Sequence, residues 1–354
     1  MKINFLLPVI SSVPVGGLKV VYEYSNKMAS DGIEVSIIYP MVLRFDKAAK
    51  NSFFLTLRMK RKVIIKKIIK KYFRRVWFKL NPSVREILVP CLKEKFIPEA
   101  DITFATAWET AEWLNTYSSE KGKKMYLIQA YEDWSGTKEQ VDATWKMPFQ
   151  KIVITRWLKE YATSLKQHSV IVHNGLDFNM YFINHPIEKR NSNQLIMLNH
   201  YASGKGSEDG ISAVVLAKER NPAIELILFG TKPRPKNIPS WIEYHQKPSN
   251  LKDLYNRAAI FVSPSWAEGW ALPPAEAMQC GCTCVLTDIG GHREYGINNR
   301  DLLLVPVKNP VAMAKVINEL IDNNSRRIEI AKSGNIAIQQ FSWDKSYDKL
   351  KQCF

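Results

Sequence analysis

The sequence predicts an α/β protein with two domains, each built on a parallel sheet. Apolar, strand-like runs alternate with helix patterns through both halves of the chain, as in repeated strand–helix–strand units. The length of 354 residues suits two domains of ordinary size. A polar, proline-containing stretch at 184–193 separates the halves. We therefore expect domains at 1–183 and 194–338, followed by a closing segment at 339–354.

The first half opens with a strand at residues 2–10, followed by Gly16-Gly17 and a helix that ends at Asp31-Gly32. The apolar start also has the length of a short signal segment, but its continuation into glycines and a helix favours a strand. Glycines at a first strand–helix turn are typical of nucleotide-binding domains, although the full G-x-G-x-x-G pattern is missing. Further strands are expected at 33–39, 101–106, 124–129, 151–155 and 169–173.

The second half repeats the alternation. Asn309 is expected to cap a helix that begins at Pro310, because proline suits the first helical position. A last helix is expected to begin near Ser342. The remaining expected elements are strands at 195–198, 224–230, 260–262 and 283–287, and helices at 208–218, 251–258 and 274–279.

One segment makes the chain basic. The formal net charge is +16, and residues 47–85 contain fourteen Lys or Arg and no acidic residue, so the rest carries about +2. Within it, residues 58–79 place apolar side chains at every helical turn, which predicts an amphipathic helix ending in Trp77-Phe78. Its apolar face suits either an anionic membrane surface or the first domain itself. A nucleic-acid-binding arm is a third interpretation, and the regular apolar stripe argues against it.

Cysteine usage favours a reducing compartment. The chain has five cysteines, and three of them lie close together at Cys280, Cys282 and Cys284. No histidine lies at ligand spacing from this group, so buried free thiols fit better than a metal site. No apolar run approaches the roughly 18 residues of a membrane-spanning helix. The sequence therefore predicts a cytoplasmic protein.

The most informative segment runs from Ser263 to Glu276, between a strand pattern and a helix pattern. Glu268 and Glu276 have seven residues between them, in otherwise apolar sequence. A strand–turn–helix arrangement presents free backbone N–H groups that suit phosphate. Glu276, expected in the first helical turn, can accept hydrogen bonds from sugar hydroxyls. The pattern suggests a nucleotide sugar as ligand; the simpler alternative is a surface loop with one glutamate that complements the helix dipole.

Several strings carry a resemblance to a known family. Glu268-Gly269-Trp270-Ala271-Leu272-Pro273, followed by Glu276-Ala277-Met278 and later by Gly290-Gly291, resembles the E-x7-E signature of glycosyltransferase family 4, whose members are retaining enzymes of the GT-B fold. Asn174-Gly175-Leu176-Asp177 is similar to the segment before the family's interdomain linker. The resemblance implies two Rossmann-like domains with parallel sheets facing a central cleft, and a C-terminal helix that crosses back to the first domain.

The resemblance also implies roles in donor binding. Lys205, in Gly204-Lys205-Gly206, would neutralise the leaving diphosphate, and Glu268 would contact the transferred sugar. His200 stands where the family often has an arginine, and it can help only when protonated. No D-x-D motif exists, so we expect a metal-independent enzyme with a nucleoside-diphosphate sugar as donor and no further cofactor. The expected catalytic residues are Glu268 and Lys205, and the expected donor-binding residues are Gly16, Gly17, His200, Lys205, Gly269, Trp270, Ala271, Leu272 and Glu276.

The sequence gives weaker indications of which residues bind the acceptor. Thr106 stands where many relatives have a histidine, which makes Thr106, Trp108 and Glu109 the local candidates for a sugar contact. The string ending in Tyr131-Glu132 resembles a segment of polysaccharide rhamnosyltransferases in the same family. A polar loop at the carboxyl end of a strand suits a ligand site, but ordinary turn residues are an equal alternative. The expected acceptor-binding residues are Thr106, Trp108, Tyr131 and Glu132.

These observations predict a retaining glycosyltransferase on the inner face of the cell membrane. It would move a sugar from a nucleoside-diphosphate sugar, with UDP or dTDP favoured, to a glycan or lipid-linked acceptor in cell-surface polysaccharide synthesis. The expected partners are the nucleotide sugar, that acceptor and an anionic membrane surface, and no nucleic acid. The alternatives are a small-molecule glycoside transferase of the same fold, a nucleic-acid-binding protein, and a donor site that binds without turnover.

Overall fold

The computed structural model describes residues 1–44 and 77–354. The chain divides into two compact units, Met1–His173 with Ser346–Phe354, and Asn174–Lys345. The stretch 184–193, expected as a linker, lies inside the second unit, where the Asn184 backbone N–H donates to Asn256 Oδ1 at 2.9 Å. The predicted basic helix at 58–79 lies outside the described residues except for its last three positions.

The first unit contains a parallel sheet with strand order β3-β2-β1-β4-β5-β6-β7. Its central strands are buried on both faces, as parallel sheets covered by helices require. Phe5 of β1 and Phe104 of β4 stack with ring centroids 4.8 Å apart in this core. The strands are β1 (Lys2–Leu6), β2 (Glu34–Pro40), β3 (Arg85–Val89), β4 (Ile102–Ala105), β5 (Lys123–Ile128), β6 (Gln150–Val153) and β7 (Ser169–Ile171).

Helices of the first unit follow the strand ends. Helix α1 buries Leu18, Val21 and Met28 against the sheet, and Gly32 just after it has a φ of 77°, a left-handed conformation that glycine adopts without strain. The predicted helix end at Asp31-Gly32 is therefore confirmed. Among the described residues of this unit, the helices are α1 (Gly16–Ser30), α2 (Trp108–Asn115), α3 (Lys138–Trp145) and α4 (Arg156–Ser164).

The second unit contains a parallel sheet with strand order β10-β9-β8-β11-β12-β13. Its interior is aliphatic, with Leu195, Val262 and Val285 from three neighbouring strands fully buried. The strands are β8 (Gln194–Leu198), β9 (Glu225–Gly230), β10 (Glu243–Gln246), β11 (Ile260–Ser263), β12 (Thr283–Thr287) and β13 (Leu303–Val305). The helices are α5 (Ser207–Arg220), α6 (Leu251–Arg257), α7 (Leu272–Gln279), α8 (Pro310–Asp322), α9 (Asn324–Ile338) and α10 (Trp343–Lys351), of which α10 begins in this unit and ends in the first.

The last helix returns to the first unit, as expected. The Tyr24 hydroxyl lies 2.6 Å from Ser346 Oγ, and the Tyr347 hydroxyl donates to Asp31 Oδ2 at 3.0 Å. Asn309 caps α8 by accepting the Ala312 backbone N–H at 2.9 Å, which confirms the predicted cap.

Some elements differ from the prediction. The edge strand β10 was not predicted because its sequence, Glu243–Gln246, has no apolar run, and β3 and β13 were missed although they contain the apolar runs 87–89 and 303–305. Helix α7 begins at Leu272 rather than at Pro274, because proline is tolerated throughout a first turn whose N–H groups have no helical partner.

The aromatic end of the basic segment packs on protein. The Trp77 ring lies 5.7 Å from the Tyr22 ring, the Phe78 ring lies 5.2 Å from it, and Trp77 Nε1 donates to the Ser11 carbonyl oxygen at 3.2 Å. Among the described residues, no helix is both long enough and apolar enough to cross a membrane.

Candidate active site

Strand order places a ligand-binding edge in the second unit. The chain leaves β8 toward one side of the sheet and β11 toward the other, and these strands are neighbours. In open parallel sheets, ligands bind at the carboxyl ends of strands where the order reverses in this way. The segment after β8 carries His200 and Lys205, and the segment after β11 carries Glu268.

The predicted catalytic pair meets at this edge. Lys205 Nζ lies 2.7 Å from both Glu268 carboxylate oxygens, and the lysine side chain is about one third exposed while the glutamate is 11% exposed. Ser265 Oγ also donates to Glu268 Oε1, at 2.9 Å. A carboxylate held by three hydrogen bonds is fixed in orientation, whereas the lysine keeps access to solvent and hence to a ligand.

Two glycines let the loops approach each other. A Cβ on Gly206 would lie 2.2 Å from the Pro264 carbonyl oxygen, and Gly206 has a φ of 60°. A Cβ on Gly291 would lie 2.7 Å from the Glu268 carbonyl oxygen. The Gly290-Gly291 pair that contributed to the family resemblance therefore has a packing reason: larger residues would displace the backbone of Glu268.

The predicted phosphate-binding loop leads directly into α7. Gly269, Trp270, Ala271 and Leu272 are buried, and Ala271 is the residue before the first helical turn. The Trp270 ring packs edge-on against Tyr295, with centroids 5.0 Å apart. The loop therefore presents backbone at a helix N-terminus, an arrangement that favours anions.

Glu276 is displaced from its expected place. Because α7 starts at Leu272, Glu276 is its fifth residue and not in the first turn. Its side chain is buried, and the Tyr255 hydroxyl lies 3.4 Å from Glu276 Oε2. Burial together with the nearby Glu276 charge raises the pKa of Tyr181 far above its ordinary range. Glu276 thus sits among buried tyrosines.

His200 is not a second cation at neutral pH. Burial, followed by repulsion from Lys205, lowers the pKa of His200 below its ordinary value. Its ring stacks on Tyr201 at 4.6 Å, and its backbone N–H donates to Ser207 Oγ at 2.8 Å. Protonation of His200, which it would need in order to help bind the diphosphate, is therefore disfavoured in this site.

Sequence reasoning missed a buried polar group beneath the loop. His292 is fully buried, and its Nδ1 lies 2.8 Å from the Thr287 carbonyl oxygen. Its Nε2 lies 3.3 Å from Ser263 Oγ. Burial lowers the pKa of His292 to about 4, so the ring is neutral and donates from Nδ1. The sequence signal was the position of this histidine directly after Gly290-Gly291.

The predicted acceptor-binding residues lie at the carboxyl edge of the first unit's sheet. Thr106 and Trp108 make hydrogen bonds within this unit. Thr106 Oγ1 donates to the Leu6 carbonyl oxygen at 2.7 Å. Trp108 is 2% exposed, and its Nε1 donates to Ser135 Oγ at 2.8 Å. These contacts tie the ends of β1, β4 and β5 together.

Glu132 and Tyr131 also contact neighbouring side chains or backbone. Glu132 Oε2 accepts the Trp108 backbone N–H at the start of α2, at 2.7 Å. Burial, and secondarily the charge of Glu109, raises the pKa of Glu132 to about 8. The Tyr131 hydroxyl donates to Asp142 Oδ1 at 3.0 Å, in a cluster that includes Tyr161. Asp142 and Tyr161 lie on two later helices, and no sequence pattern marked them.

Gly16 and Gly17 form the first residues of α1. The Gly17 carbonyl oxygen accepts a hydrogen bond from Gln129 Nε2 at 3.1 Å, and a Cβ on Gly17 would lie 3.5 Å from that nitrogen. The glycines therefore lie at the carboxyl end of β1, beside the segment that follows β5. Within residues 1–44 and 77–354, no group of three His, Cys, Asp or Glu could hold a metal ion, and Cys280, Cys282 and Cys284 are buried free thiols.

Comparison with known proteins finds a family match within the second unit. Residues 182–336 match the family described as "Glycosyl transferases group 1". D-inositol 3-phosphate glycosyltransferase of Xylanimonas cellulosilytica is 32% identical over 96 residues, which cover 27% of this chain and 23% of that protein. O-antigen chain mannosyltransferase B of Escherichia coli is 33% identical over 106 residues, covering 29% and 27%. The chain thus matches about a quarter of the length of these curated relatives.

A solved structure extends the likeness to the whole fold. HepE of Anabaena, determined with UDP and glucose, superimposes with a TM-score of 0.74 at 15% identity, over 100% of this chain and 99% of that one. At this identity the likeness shows the fold, which is the two-domain Rossmann-like fold of GT-B glycosyltransferases. The chain therefore has a GT-B fold, and residues 182–336 match the group 1 glycosyltransferase family.

Proposed function

We propose that this protein is a retaining glycosyltransferase that uses a nucleoside-diphosphate sugar, with UDP or dTDP favoured as the nucleotide. The observation that carries the proposal is the Lys205–Glu268 pair at the reversal of strand order, where Lys205 Nζ contacts both carboxylate oxygens at 2.7 Å. A partly exposed cation beside a helix N-terminus suits a diphosphate, and a fixed carboxylate suits sugar hydroxyls. HepE, whose fold this chain shares, was determined with UDP and glucose.

The residues suggest how transfer would proceed. Lys205 would leave Glu268 in part to contact the diphosphate, and backbone N–H groups of Gly269–Leu272 would hold the same phosphates. Glu268 would orient the sugar, and Glu276 would accept hydrogen bonds from ribose. The leaving diphosphate oxygen would take the acceptor proton on the face it departs from, so the anomeric configuration is retained and no separate base is needed.

The acceptor is proposed to be a glycan or lipid-linked glycan of the cell surface. The mannosyltransferase relative named for the O-antigen chain supports this class. The first unit would bind the acceptor at the carboxyl edge of its sheet, near Trp108, Tyr131 and Glu132. A small-molecule glycoside transferase remains the second candidate, because the inositol-phosphate relative acts, by its name, on a small acceptor.

The decisive experiment is a donor panel. UDP-, dTDP- and GDP-sugars are screened by thermal shift, since a ligand that binds the folded state raises the melting temperature. Donors that stabilise the protein are then incubated with lipid-linked and soluble glycan acceptors, and the anomeric configuration of the product is read by NMR. Inversion would refute the retaining mechanism, and the absence of both stabilisation and transfer with every donor would refute the enzyme.

We also propose that the basic segment at 47–85 holds the protein on the anionic inner surface of the membrane. Each Lys or Arg near such a surface contributes roughly 1 kcal/mol. The variant with Lys66, Lys67, Lys70 and Lys71 changed to Glu should lose co-sedimentation with phosphatidylglycerol vesicles, while wild type binds them at low salt and less at high salt. Equal recovery of both proteins in the supernatant would contradict the proposal, and tight DNA binding would favour a nucleic-acid partner.

A further inference from the structure

Four buried polar residues lie between the donor loop and the sheet below it. Ser263, Ser265, Thr287 and His292 are each at most 7% exposed, and none of them was predicted as a site residue. They come from the ends of β11 and β12 and from the turn after Gly291. Burying polar groups is costly unless each finds a partner.

Hydrogen bonds through side chains and backbone link these residues to Glu268, and Ser263 joins them through its Oγ, 3.3 Å from His292 Nε2. His292 Nδ1 donates to the Thr287 carbonyl oxygen at 2.8 Å. Thr287 Oγ1 donates to the Ser265 carbonyl oxygen. Ser265 Oγ donates to Glu268 Oε1 at 2.9 Å, and Lys205 closes the chain on the same carboxylate.

A second contact holds the far end of the loop. The Tyr295 hydroxyl donates to the Ala271 carbonyl oxygen, and Tyr295 is fully buried three residues after His292. One short turn, His292–Glu294 with Tyr295 after it, therefore fixes both ends of the loop that carries Glu268. Gly291 lies against the middle of the loop, where a Cβ would lie 3.0 Å from Glu268 Cβ.

We infer that Thr287 and His292 are positioning residues for the donor site, acting through Ser265 on the orientation of the Glu268 carboxylate. The inference rests on the proposed function. A carboxylate that must meet sugar hydroxyls in the transition state loses effect when it is free to rotate, because pre-organisation is then lost. Loss of the chain should lower kcat more than it weakens nucleotide binding, since the far end of the phosphate-binding loop is held separately, by the Tyr295 hydroxyl on the Ala271 carbonyl oxygen.

The test compares two threonines of the same strand. Thr287→Val removes the hydroxyl that holds Ser265, and we expect at least a tenfold fall in kcat with the Kd for UDP changed less than threefold. Thr287→Ser keeps the hydroxyl and should recover most of the rate. Thr283→Val is the matched control, because Thr283 is equally buried but donates to the Arg327 carbonyl oxygen at 2.7 Å, at the opposite end of β12.

A double-mutant cycle separates positioning from general damage. If Thr287 acts through Glu268, Thr287→Val should cost little further rate in a Glu268→Ala background, whereas independent effects would add. Ser265→Ala provides the same test if Thr287→Val fails to fold. Full additivity of the two substitutions' effects on kcat would overturn the inference but not the proposed function. A kcat for Thr287→Val or Ser265→Ala equal to that of wild type would do the same. A wild-type protein that transfers no sugar from any donor would overturn the proposed function and the inference with it.

Discussion

The two sheets have the same strand order at their centres but different chemistry at their carboxyl edges. In the second unit, Lys205 and Glu268 meet as an ion pair in which the lysine remains partly exposed. In the first unit, Thr106 donates to backbone and Glu132 accepts from it. One edge thus carries a partly exposed ion pair, whereas Thr106 and Glu132 at the other edge bind the backbone of their own unit. Equivalent positions in a repeated fold therefore do not imply equivalent roles.

The largest expected effect is at the charged edge. Lys205→Ala should lower kcat about a hundredfold, because one charge contact to a leaving phosphate contributes on the order of 3 kcal/mol. Lys315→Ala, which removes an exposed lysine of the same unit, is the matched control. Steady-state kinetics at saturating donor measure the change. A near-wild-type rate for Lys205→Ala would remove the contrast between the two edges.

Glu276→Gln should have a smaller effect, and on binding instead of turnover. The substitution keeps the shape among the buried tyrosines but removes the charge that would attract ribose hydroxyls. Hydrogen bonds to charged groups are roughly twice as strong as neutral ones, so we expect about a tenfold weaker Kd for the nucleoside diphosphate. Isothermal titration calorimetry measures this, with Glu319→Gln on an exposed helix face as control. Unchanged affinity would show that Glu276 has a packing role.

The motifs that predicted the site at the second unit's edge share one property: the residues of each motif lie close together in the sequence. Glu268, Gly269 and Glu276 lie within one strand–turn–helix segment, and Lys205 follows a strand end, so the pattern indicated both the place and the charge. The Ser265–Thr287–His292 chain was missed because its partners lie 22 residues or more from Ser265 and because Ser and Thr near strands are common.

The first edge was less predictable for the same reason. Trp108 and Glu132 were identified as polar or aromatic residues after strands, but the contact between them joins residues 24 apart, and nothing in either segment indicates it. Edge strand β10 was not predicted because it is partly exposed and its sequence, Glu243–Gln246, has no apolar run. The central strands of both sheets were predictable because burial on two faces demands continuous apolar runs.

The first edge should respond to alkaline pH through Glu132. Burial raises the pKa of Glu132 to about 8, against roughly 4.3 in an unfolded chain. The contribution of neutral Glu132 to the free energy of unfolding is fully present at pH values below the pKa of this group in the unfolded chain. It is lost as the pH rises through the folded-state pKa of about 8. Glu132→Gln stays neutral while keeping an oxygen that can accept the Trp108 N–H. It should therefore gain stability over wild type between pH 5 and 9, by on the order of 1 kcal/mol given partial solvent screening.

Thermal unfolding at several pH values tests this expectation. The exposed Glu120→Gln variant controls for loss of one surface carboxylate in the same unit. A stability difference between Glu132→Gln and wild type that does not grow with pH would show that Glu132 is ionised in the fold. The two edges would then both carry charged carboxylates, and the contrast between them would rest on Lys205 alone.

The smallest expected effect is that of chelation at the charged edge. A departing nucleoside diphosphate is stabilised by positive charge. Metal-dependent enzymes obtain this charge from Mg²⁺ or Mn²⁺ bound by two acidic side chains. This sequence has no D-x-D motif, and we propose that Lys205 and the N-terminus of α7 supply the charge instead. Excess EDTA should therefore leave the transfer rate unchanged within about twofold, and added Mg²⁺ should not raise it. If EDTA abolishes the transfer rate and a divalent metal restores it, Lys205 does not suffice to stabilise the leaving diphosphate. The positive charge assigned to this edge would then have to come from a metal ion bound with the donor.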